Sequence, residues 1–394
     1  MAKLHHPPRL CRIAARKSCQ NGPKKAKPLS IPTPDSPVWA YELKTEGKTM
    51  KKILFATTAL IATASVAAAD VRLSGYGRFG LDYNQNNDRV GNVSTGALNG
   101  RSSTNITSRL RLQVDMSTET DNGVAFGARF RAQAESRDNA PGGAGFNGAR
   151  FFASYEGFTL QVGNIVGAVE NMPGLYLETR TADIGIDGAG FESIVANVNG
   201  ESFNWDAYSS GGTGANGVEV IYSANGFTGH ISYSADNGPA QISGLITEQD
   251  ARVGAMVAYN FGDWTAALAL QSSDRAFEDK AVLSVSGNIG QFGVRLAYAD
   301  NDGVGKFGIY GNMDIGAASN VLVYVTSEDA VSAADVAAGR NNNVDGAIGS
   351  NNREGTGYGI HYSYDLGGGV SFEAGARQAS WENTTAQAGV YFSF

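Results

Sequence analysis

Apolar and polar side chains alternate with a period of two residues along most of this chain. Residues 71–83 place their apolar side chains on one face: Val71, Leu73, Phe79, Leu81 and Tyr83. The opposite face of the same segment is polar: Arg72, Ser74, Tyr76, Arg78 and Asp82. Residues 106–116 and 124–134 repeat the pattern. Strict alternation predicts β-strands whose two faces meet different surroundings.

Sixteen segments of this kind follow one another, and beyond residue 69 no apolar run is long enough for a transmembrane helix. The predicted strands cover residues 71–83, 105–119, 123–137, 149–156, 158–166, 217–224, 227–235, 249–261, 264–273, 281–289, 292–299, 305–315, 319–327, 356–366, 370–381 and 385–394. The links are short and long in near alternation. The short links are residues 120–122, 156–157, 225–226, 262–263, 290–291, 316–318 and 367–369. The longer links are residues 84–104, 138–148, 167–216, 236–248, 274–280, 300–304, 328–355 and 382–384.

Short turns at one end and longer loops at the other are typical of outer-membrane β-barrels. We therefore predict an all-β fold, a 16-stranded antiparallel transmembrane β-barrel with both chain ends on the periplasmic side. A barrel of sixteen strands leaves a water-filled channel, whereas side chains fill one of eight. Residues 202–209 also look strand-like, but counting them would break the alternation of every later link. They are therefore assigned to the long loop 167–216.

A soluble β-sandwich would alternate in the same way, and three features weigh against it. The apolar residues repeat on one face around the whole chain, without a second class of segment to form a facing layer. The polar faces carry arginines and carboxylates, which suit a wet lumen better than a packed core. Aromatic residues gather near strand ends, as in residues 259–264 and 391–394, which is typical of interfacial girdles.

Residues 50–69 have the organisation of a secretory signal peptide. Lys51 and Lys52 form its positive region, and residues 53–66 form an apolar region too short for a transmembrane anchor. Small residues end the segment, so we predict cleavage between Ala69 and Asp70.

Residues 1–49 are basic and proline-rich, and they are interpreted as a mis-assigned translation start or a disordered extension. The full chain has 31 Lys and Arg against 38 Asp and Glu; residues 1–69 hold 12 and 3 of these, so residues 70–394 carry 19 against 35. The predicted barrel therefore has a formal net charge of −16, compared with −7 for the chain. This acidity argues against nucleic acid and favours cations. Both cysteines, Cys11 and Cys19, precede the cut, which excludes a disulfide framework in the barrel.

Three motifs, GYGRFGLDY from residue 75, TSRLRLQV from residue 107 and TETDNGVAFGARFRAQ from residue 118, resemble the Rhodobacter-type general porins of alphaproteobacteria. The similarity runs from about residue 70 to the C-terminus and is strongest over residues 70–165 and in the last strand. The resemblance implies a homotrimer of sixteen-stranded barrels, with a long third loop folded into the lumen to form a constriction. Phe394, with Phe392 on the same face, resembles the signal read by the barrel-assembly machinery.

The predicted constriction follows from the charges on such a loop and on the barrel wall that faces it. The loop carries these acidic residues, with Arg180 as its one cation: Glu170, Glu178, Asp183, Asp187, Glu192, Glu201 and Asp206. The first five of them are the predicted acidic side of the constriction. The predicted basic side lies on the lumen face of the first four strands: Arg72, Arg78, Arg109, Arg111, Arg129, Arg131 and Arg150. Rings of charge set ion selectivity, and the acidic excess predicts a mild preference for cations.

The predicted function is passive diffusion of small hydrophilic solutes and ions across the cell outer membrane. A substrate-specific channel with a dedicated binding track and a structural or adhesive barrel with a plugged lumen stay open as alternatives. An enzyme is not predicted, because His230 and His361 fall in mid-strand without a Gly-x-Ser-x-Gly elbow or paired histidine ligands.

No cofactor or metal is predicted, although structural Ca²⁺ stays open because acidic loops supply oxygen ligands and members of the family can bind it. Residues 300–303, Asp-Asn-Asp-Gly, are interpreted as a turn rather than a metal site. The expected partners are outer-membrane lipid and lipopolysaccharide, two further copies of the chain in a homotrimer, the barrel-assembly machinery and small hydrophilic solutes.

Overall fold

The computed structural model describes residues 70–88, 90–92, 97–98, 102–137, 140–180, 184–186, 204–235, 251–344, 347 and 353–394. These residues belong to one compact unit, Ile53–Phe394. The predicted extension, residues 1–49, and the predicted signal peptide, residues 50–69, lie outside the described residues.

Almost all of the described structure is β-strand. The strands are β1 (Asp70–Asn84), β2 (Val90–Asn92), β3 (Ala97–Leu98), β4 (Thr104–Glu119), β5 (Ala125–Arg137), β6 (Ala140–Phe146), β7 (Arg150–Tyr155), β8 (Phe158–Asn164), β9 (Asn216–Ala224), β10 (Phe227–Ser234), β11 (Arg252–Phe261), β12 (Trp264–Ser273), β13 (Lys280–Ile289), β14 (Phe292–Asn301), β15 (Gly305–Ile315), β16 (Ser319–Glu328), β17 (Gly355–Gly367), β18 (Val370–Gln378) and β19 (Thr384–Ser393). A 3₁₀-helix, Gln85–Asp88, follows β1, and a short α-helix, α1 (Ala333–Ala337), lies between β16 and β17.

Seventeen of these strands form one antiparallel sheet that closes on itself, because β1 pairs with both β4 and β19. Strands β6 and β7 both pair with β5, at Ala132–Arg137 and Ala125–Arg129 respectively, so they are two halves of one wall strand. The barrel therefore has sixteen wall strands, and the predicted 16-stranded antiparallel barrel is confirmed. Strands β2 and β3 pair with each other in a separate two-stranded hairpin.

The long links contain regular structure that the sequence did not predict, including the β2–β3 hairpin within residues 84–104. The link 138–148 was predicted as a loop, and this is wrong for residues 140–146, which form β6. Its sequence, APGGAGF, has almost no alternating apolar side chains to reveal a strand, and its pairing with β5 supplies the order instead. Helix α1 lies in the predicted link 328–355, where Ser332 caps it by accepting a hydrogen bond from the amide of Asp335. Residues 204–209 form no strand, in agreement with their assignment to the loop.

The two faces of the barrel wall differ in exposure as the alternation predicts. Outward-facing apolar side chains are open, such as Ile106 at 72% and Leu81 at 58% exposed. Polar side chains on the other face of β1 are buried, including Arg78 and Asp82. A continuous exposed apolar surface of this kind needs a lipid environment. Among the described helices, none combines the length and the apolar character that crossing a membrane requires.

The short links are tight turns, and their residues adopt the backbone φ values that hairpins require. In the turn between β9 and β10, Asn225 and Gly226 both have positive φ, at 51° and 81°. Two consecutive positive φ values match the right-handed twist of the flanking strands, and Asn-Gly is the preferred pair for such a turn. The short links therefore fix the register between neighbouring wall strands.

The barrel closes along a seam between β1 and β19. Gly75 and Phe394 exchange backbone hydrogen bonds, from Gly75 N to Phe394 O at 2.9 Å and from Phe394 N to Gly75 O at 3.0 Å. The aromatic ring of Phe392 lies over Gly77, where a Cβ would come within 2.2 Å of the ring. The predicted assembly-signal residues Phe392 and Phe394 thus form the closing seam, and their recognition by assembly machinery stays a prediction.

Candidate functional site

One side of the polar inner face is rich in arginine, and we call the inner faces of β1, β4, β5 and β7 the arginine wall. Strand register brings the predicted basic residues side by side. Arg78 of β1 lies opposite Arg109 of β4, and Arg129 of β5 lies opposite Arg150 of β7. Arg72, also of β1, is exposed near the start of the barrel. The described structure thus gathers the predicted arginines on neighbouring strands.

Acceptors on adjacent strands hold several of these guanidinium groups. Arg109 Nε donates to Glu135 Oε2 at 2.6 Å, and Arg129 forms an ion pair with Asp115. Arg111 Nε donates to Gln133 Oε1 at 2.7 Å, and its guanidinium lies 5.0 Å from the ring centre of Tyr76. Arginine forks held by carboxylates and amides have fixed positions, which a charged channel lining requires.

An aromatic residue from the long segment packs against this wall. The long segment is defined as residues 165–215, which connect β8 to β9. The ring of Tyr208 lies between Arg131 and Arg150, 4.6 Å and 4.9 Å from their guanidinium carbons. Arg131 Nη1 also donates to Ser210 Oγ at 2.9 Å. The end of the long segment therefore contacts the edge of the arginine wall through cation–π contacts.

The start of the long segment is fixed to β9 and β10. Glu219 accepts hydrogen bonds from the backbone amides of Val166 at 3.0 Å and Gly167 at 2.8 Å. His230 Nε2 lies 3.0 Å from Glu219 Oε2, and the amide of Ala168 donates to Ser232 Oγ at 3.0 Å. Glu219, His230 and Ser232 are all buried on the inner face. His230 therefore has the structural partners expected of a wall histidine.

Further along, the long segment is held by Arg295, which is not one of the arginines predicted for the constriction. Arg295 of β14 donates through Nη1 to the carbonyl oxygens of Gly174 and Tyr176, and its Nη2 lies 3.3 Å from Glu178 Oε1. Asn312 Nδ2 of β15 lies 3.4 Å from the other Glu178 oxygen. Glu178 thus lies beside β14 and β15, with 67% of its side chain exposed. The sequence could have indicated this contact only through an arginine at an inward-facing position of β14. Its partner, Glu178, is 117 residues away.

Arg180, Ile184 and Ile186 bring the long segment to β18 and β19. Arg180 Nε lies 3.4 Å from Glu373 Oε1, and His361 Nε2 lies 3.2 Å from Glu373 Oε2. Ile184 and Ile186 pack where the wall has glycine. A Cβ on Gly375 would lie 2.5 Å from Ile184 Cγ2, and one on Gly389 would lie 2.5 Å from Ile186 Cδ1. Side chains at these wall positions would exclude the isoleucines.

Between these anchors, the long segment packs on an apolar patch of the barrel interior. We call this patch, on the inner faces of β11–β16, the docking wall. Its buried wall residues include Met256, Ala258, Ala267, Ala269, Val282, Ala297, Ala299, Tyr310, Leu322 and Tyr324. The residues of the long segment in the same core are Ala168, Val169, Met172, Leu175, Leu177, Ile184 and Trp205. Full burial of one leucine contributes about 1.5–3 kcal/mol, so this contact is a main source of docking energy.

Glu170 lies inside this docked structure. Tyr176 Oη donates to Glu170 Oε2, and Trp205 Nε1 donates to the same oxygen at 2.9 Å. Burial raises the pKa of Glu170, while these two hydrogen bonds and the charge of Arg131 act in the opposite direction. Burial, together with the Glu170 carboxylate, raises the pKa of Tyr176 well above its ordinary value. Glu170 therefore joins parts of the long segment to each other.

Asp206 anchors the returning part of the long segment. Ser234 Oγ of β10 donates to Asp206 Oδ2 at 2.6 Å, and Arg252 Nη1 of β11 lies 3.5 Å from Asp206 Oδ1. Burial raises the pKa of Asp206, and Ser234 and Arg252 oppose that shift. Arg252 also pairs with Glu278 at 2.7 Å.

Three predicted constriction acids, Asp183, Asp187 and Glu192, lie outside the described residues, as does Glu201. Over the described ranges, no group of three or more His, Cys, Asp or Glu side chains is arranged to hold a metal ion. The segment 300–303 forms a turn, in which Gly303 N donates to Asp300 Oδ1 at 2.6 Å.

A closed sixteen-stranded barrel with an apolar outer face and a charged inner face defines the class of outer-membrane channel barrels. A family model described as Gram-negative porin matches residues 56–384. The chain belongs to the Gram-negative porin family, and it is a multi-pass β-barrel of the outer membrane. The resemblance inferred from the sequence motifs is confirmed.

Relatives and solved structures agree with this assignment. The porin of Fuscovulum blasticum is 29% identical over 82% of this chain and all of its own length. The porin of Rhodobacter capsulatus is 26% identical over the same shares. A mutant of Rh. blastica porin matches with a TM-score of 0.62 and 29% identity, covering 82% of this chain and 100% of that chain. A structure concerned with asymmetric conductivity of engineered proteins gives the same values.

Proposed function

We propose that this porin is a general diffusion channel through which small hydrophilic solutes and ions pass passively. Its narrowest section lies between the long segment and the arginine wall. The contacts of the long segment carry this proposal. Its described anchors, including Ser232, Arg295 and Glu373, all belong to the inner face of the barrel. A segment held against one part of the interior narrows the lumen and leaves the other part open.

The charges across this section would create a transverse field. Arginines line one side, and the acidic residues predicted for the constriction belong to the long segment on the other. Such a field orients dipolar solutes and disfavours apolar ones, which cannot exchange their hydration. Several wall arginines are balanced by carboxylates such as Glu135 and Asp115, whereas Glu178 keeps most of its side chain exposed. Together with the net charge of residues 70–394, this balance favours a mild cation preference.

Planar-bilayer recording of the purified, folded protein tests the channel function. We expect steady ohmic steps, and a reversal potential in a salt gradient that has the sign of cation preference. The absence of any channel activity would contradict the proposal, and clear anion selectivity would contradict only its charge assignment.

Liposome swelling across a series of sugars and amino acids separates a general porin from a substrate-specific channel. We expect permeation rates to fall smoothly with solute size. A single strongly favoured solute would support the substrate-specific alternative. A structural barrel or an enzyme would give no swelling, and we propose no catalytic role for the buried His230 and His361.

We further propose that the barrel functions as a homotrimer in contact with lipopolysaccharide, and that the last strand is read by the barrel-assembly machinery. The proposed mature chain begins at Asp70 and needs no cofactor. N-terminal sequencing of protein from outer membranes tests the cleavage site, and migration of unheated samples in gels tests the trimer.

A further inference from the structure

A recess adjoins the long segment at the end of the barrel that carries the short turns. Its cavity volume is about 250 Å³. Its polar lining comes from the long segment, the turn between β11 and β12, and the inner faces of β12, β13 and β15: Glu178, Asp263, Thr265, Ser286, Asn288 and Asn312. Leu177, Tyr310 and Leu322 add apolar surface. The volume lies just below the range of sites for drug-sized ligands, about 300–1,000 Å³, so it suits a smaller solute.

The charges that line this recess are unequal in their access to solvent. The side chain of Arg295 is 8% exposed, and its Nη1 is already bound to the carbonyl oxygens of Gly174 and Tyr176. Glu178, held by Arg295 and Asn312, is open, and so is Asp263 in the turn between β11 and β12. The charged groups that a solute meets in the described lining are therefore carboxylates.

Neutral hydrogen-bonding groups lie beside these carboxylates on paired strands. Thr265 faces Ser286 across β12 and β13. Asn288 lies opposite Gly293, and Gly293 in turn lies opposite Asn312, whose side-chain amide occupies the space that a Cβ on Gly293 would need. Hydroxyls and amides both donate and accept hydrogen bonds, so this group suits a ligand with several hydroxyls.

We propose that this recess is a solute subsite for small hydroxylated ammonium compounds, with amino sugars as the type ligand. The ammonium group lies near Glu178 and Asp263, and the hydroxyls contact the amides and hydroxyls of β12, β13 and β15. The C–H face of the sugar packs toward Leu322. The subsite rests on the proposed diffusion function only in that solutes must reach the lumen.

Saturation-transfer NMR on the folded full chain in detergent tests the subsite without requiring conductance. D-glucosamine is the probe, and N-acetyl-D-glucosamine, which has the same ring without the charge, is the reference. We expect glucosamine to bind more tightly than the reference. Asp263→Asn should weaken glucosamine binding by about 1.4- to 5-fold, the range for one water-exposed charge pair. Asn288→Ala, which removes a neutral group, should weaken both sugars alike.

Asp121→Asn is the matched control, because Asp121 is exposed in the short turn between β4 and β5, away from the recess. We expect it to leave glucosamine binding unchanged. Equal binding of the two sugars, or equal effects of Asp263→Asn and Asp121→Asn, would overturn the subsite. A protein that binds glucosamine in this way but carries no current in bilayers would overturn the proposed function and retain the subsite.

Discussion

The arginine wall and the docking wall belong to the same barrel, yet their inner faces are built from opposite kinds of residue. On the arginine wall, the half-buried charged side chains of Arg109 and Arg111 are held by Glu135 and Gln133, whereas Arg78 and Arg150 are buried. On the docking wall, small apolar residues such as Ala269 and Ala299 are fully buried by the long segment. A porin interior therefore need not be uniformly polar. One part carries charged groups, and the part that binds a loop resembles a protein core.

The largest expected effect comes from weakening the docking wall. Leu175→Ala removes a leucine that is 4% exposed, and such truncations cost about 2–5 kcal/mol. We expect the long segment to be cleaved much faster by added protease and to produce current noise in single channels. The barrel itself should remain folded, because its backbone pairing is untouched.

Leu268→Ala is the control for this experiment. Leu268 lies on the outward face of β12, directly beside the buried Ala267 and Ala269, and is 40% exposed. Cleavage of the long segment should be unchanged in this variant. Equal cleavage in the two leucine variants would mean that the docking wall does not hold the segment.

A second, smaller effect is expected when one arginine from each wall is replaced by glutamine. The two variants should differ in whether they change ion selectivity or protease protection. Arg111→Gln should raise cation preference by about 1.4- to 5-fold, as expected for one solvent-screened charge near the ion path. Protease protection of the long segment should stay as it is. Arg295→Gln should instead expose the segment to protease, because Arg295 binds the carbonyl oxygens of Gly174 and Tyr176. If both variants changed selectivity alike, the functional division between the walls would be wrong.

The smallest expected effect is a pH dependence of docking. Burial raises the pKa of Glu170 above its ordinary 4.5, so the docked segment holds this proton more tightly than a free segment does. The resulting stabilisation is complete below pH 4.5 and is lost as the pH rises through the raised pKa. Asp206 shifts in the same direction and adds to the trend.

Amide hydrogen exchange in the long segment should therefore accelerate with rising pH by more than the exchange of unprotected amides does. Glu170→Gln, which keeps an oxygen for Tyr176 and Trp205, should reduce this excess. An undiminished excess in that variant would exclude Glu170 as a source.

The strands of the barrel could be predicted from the sequence because each carries its own alternation. The turns could also be predicted, because each is encoded by its own residues, as Asn225–Gly226 illustrates. Strand β6 was missed because Gly, Ala and Pro give no apolar face to detect, and only pairing with β5 orders it.

The interior was harder to predict. A strand whose inner face is covered by another segment can show the same alternation of side chains as a strand whose inner face meets water. Alternation in β12 locates Ala267 and Ala269 on one face, but nothing local says that Trp205 covers that face. The pairing of Arg295 with the long segment likewise depends on contacts between distant parts of the chain. The grouping of arginines on the first strands could be predicted, because strands that are neighbours in the sequence are also neighbours in the wall.

The seam between β1 and β19 has a consequence for the order of events in biogenesis. Gly75 pairs with Phe394, so the ring cannot close before synthesis and export have reached Phe394. Until then, β1 and the most recently delivered strand both present unpaired backbone, which is the kind of edge that promotes aggregation. Closure also joins residues from the two ends of the barrel sequence, the slowest kind of contact to form. The open chain therefore needs protection throughout its passage to the membrane.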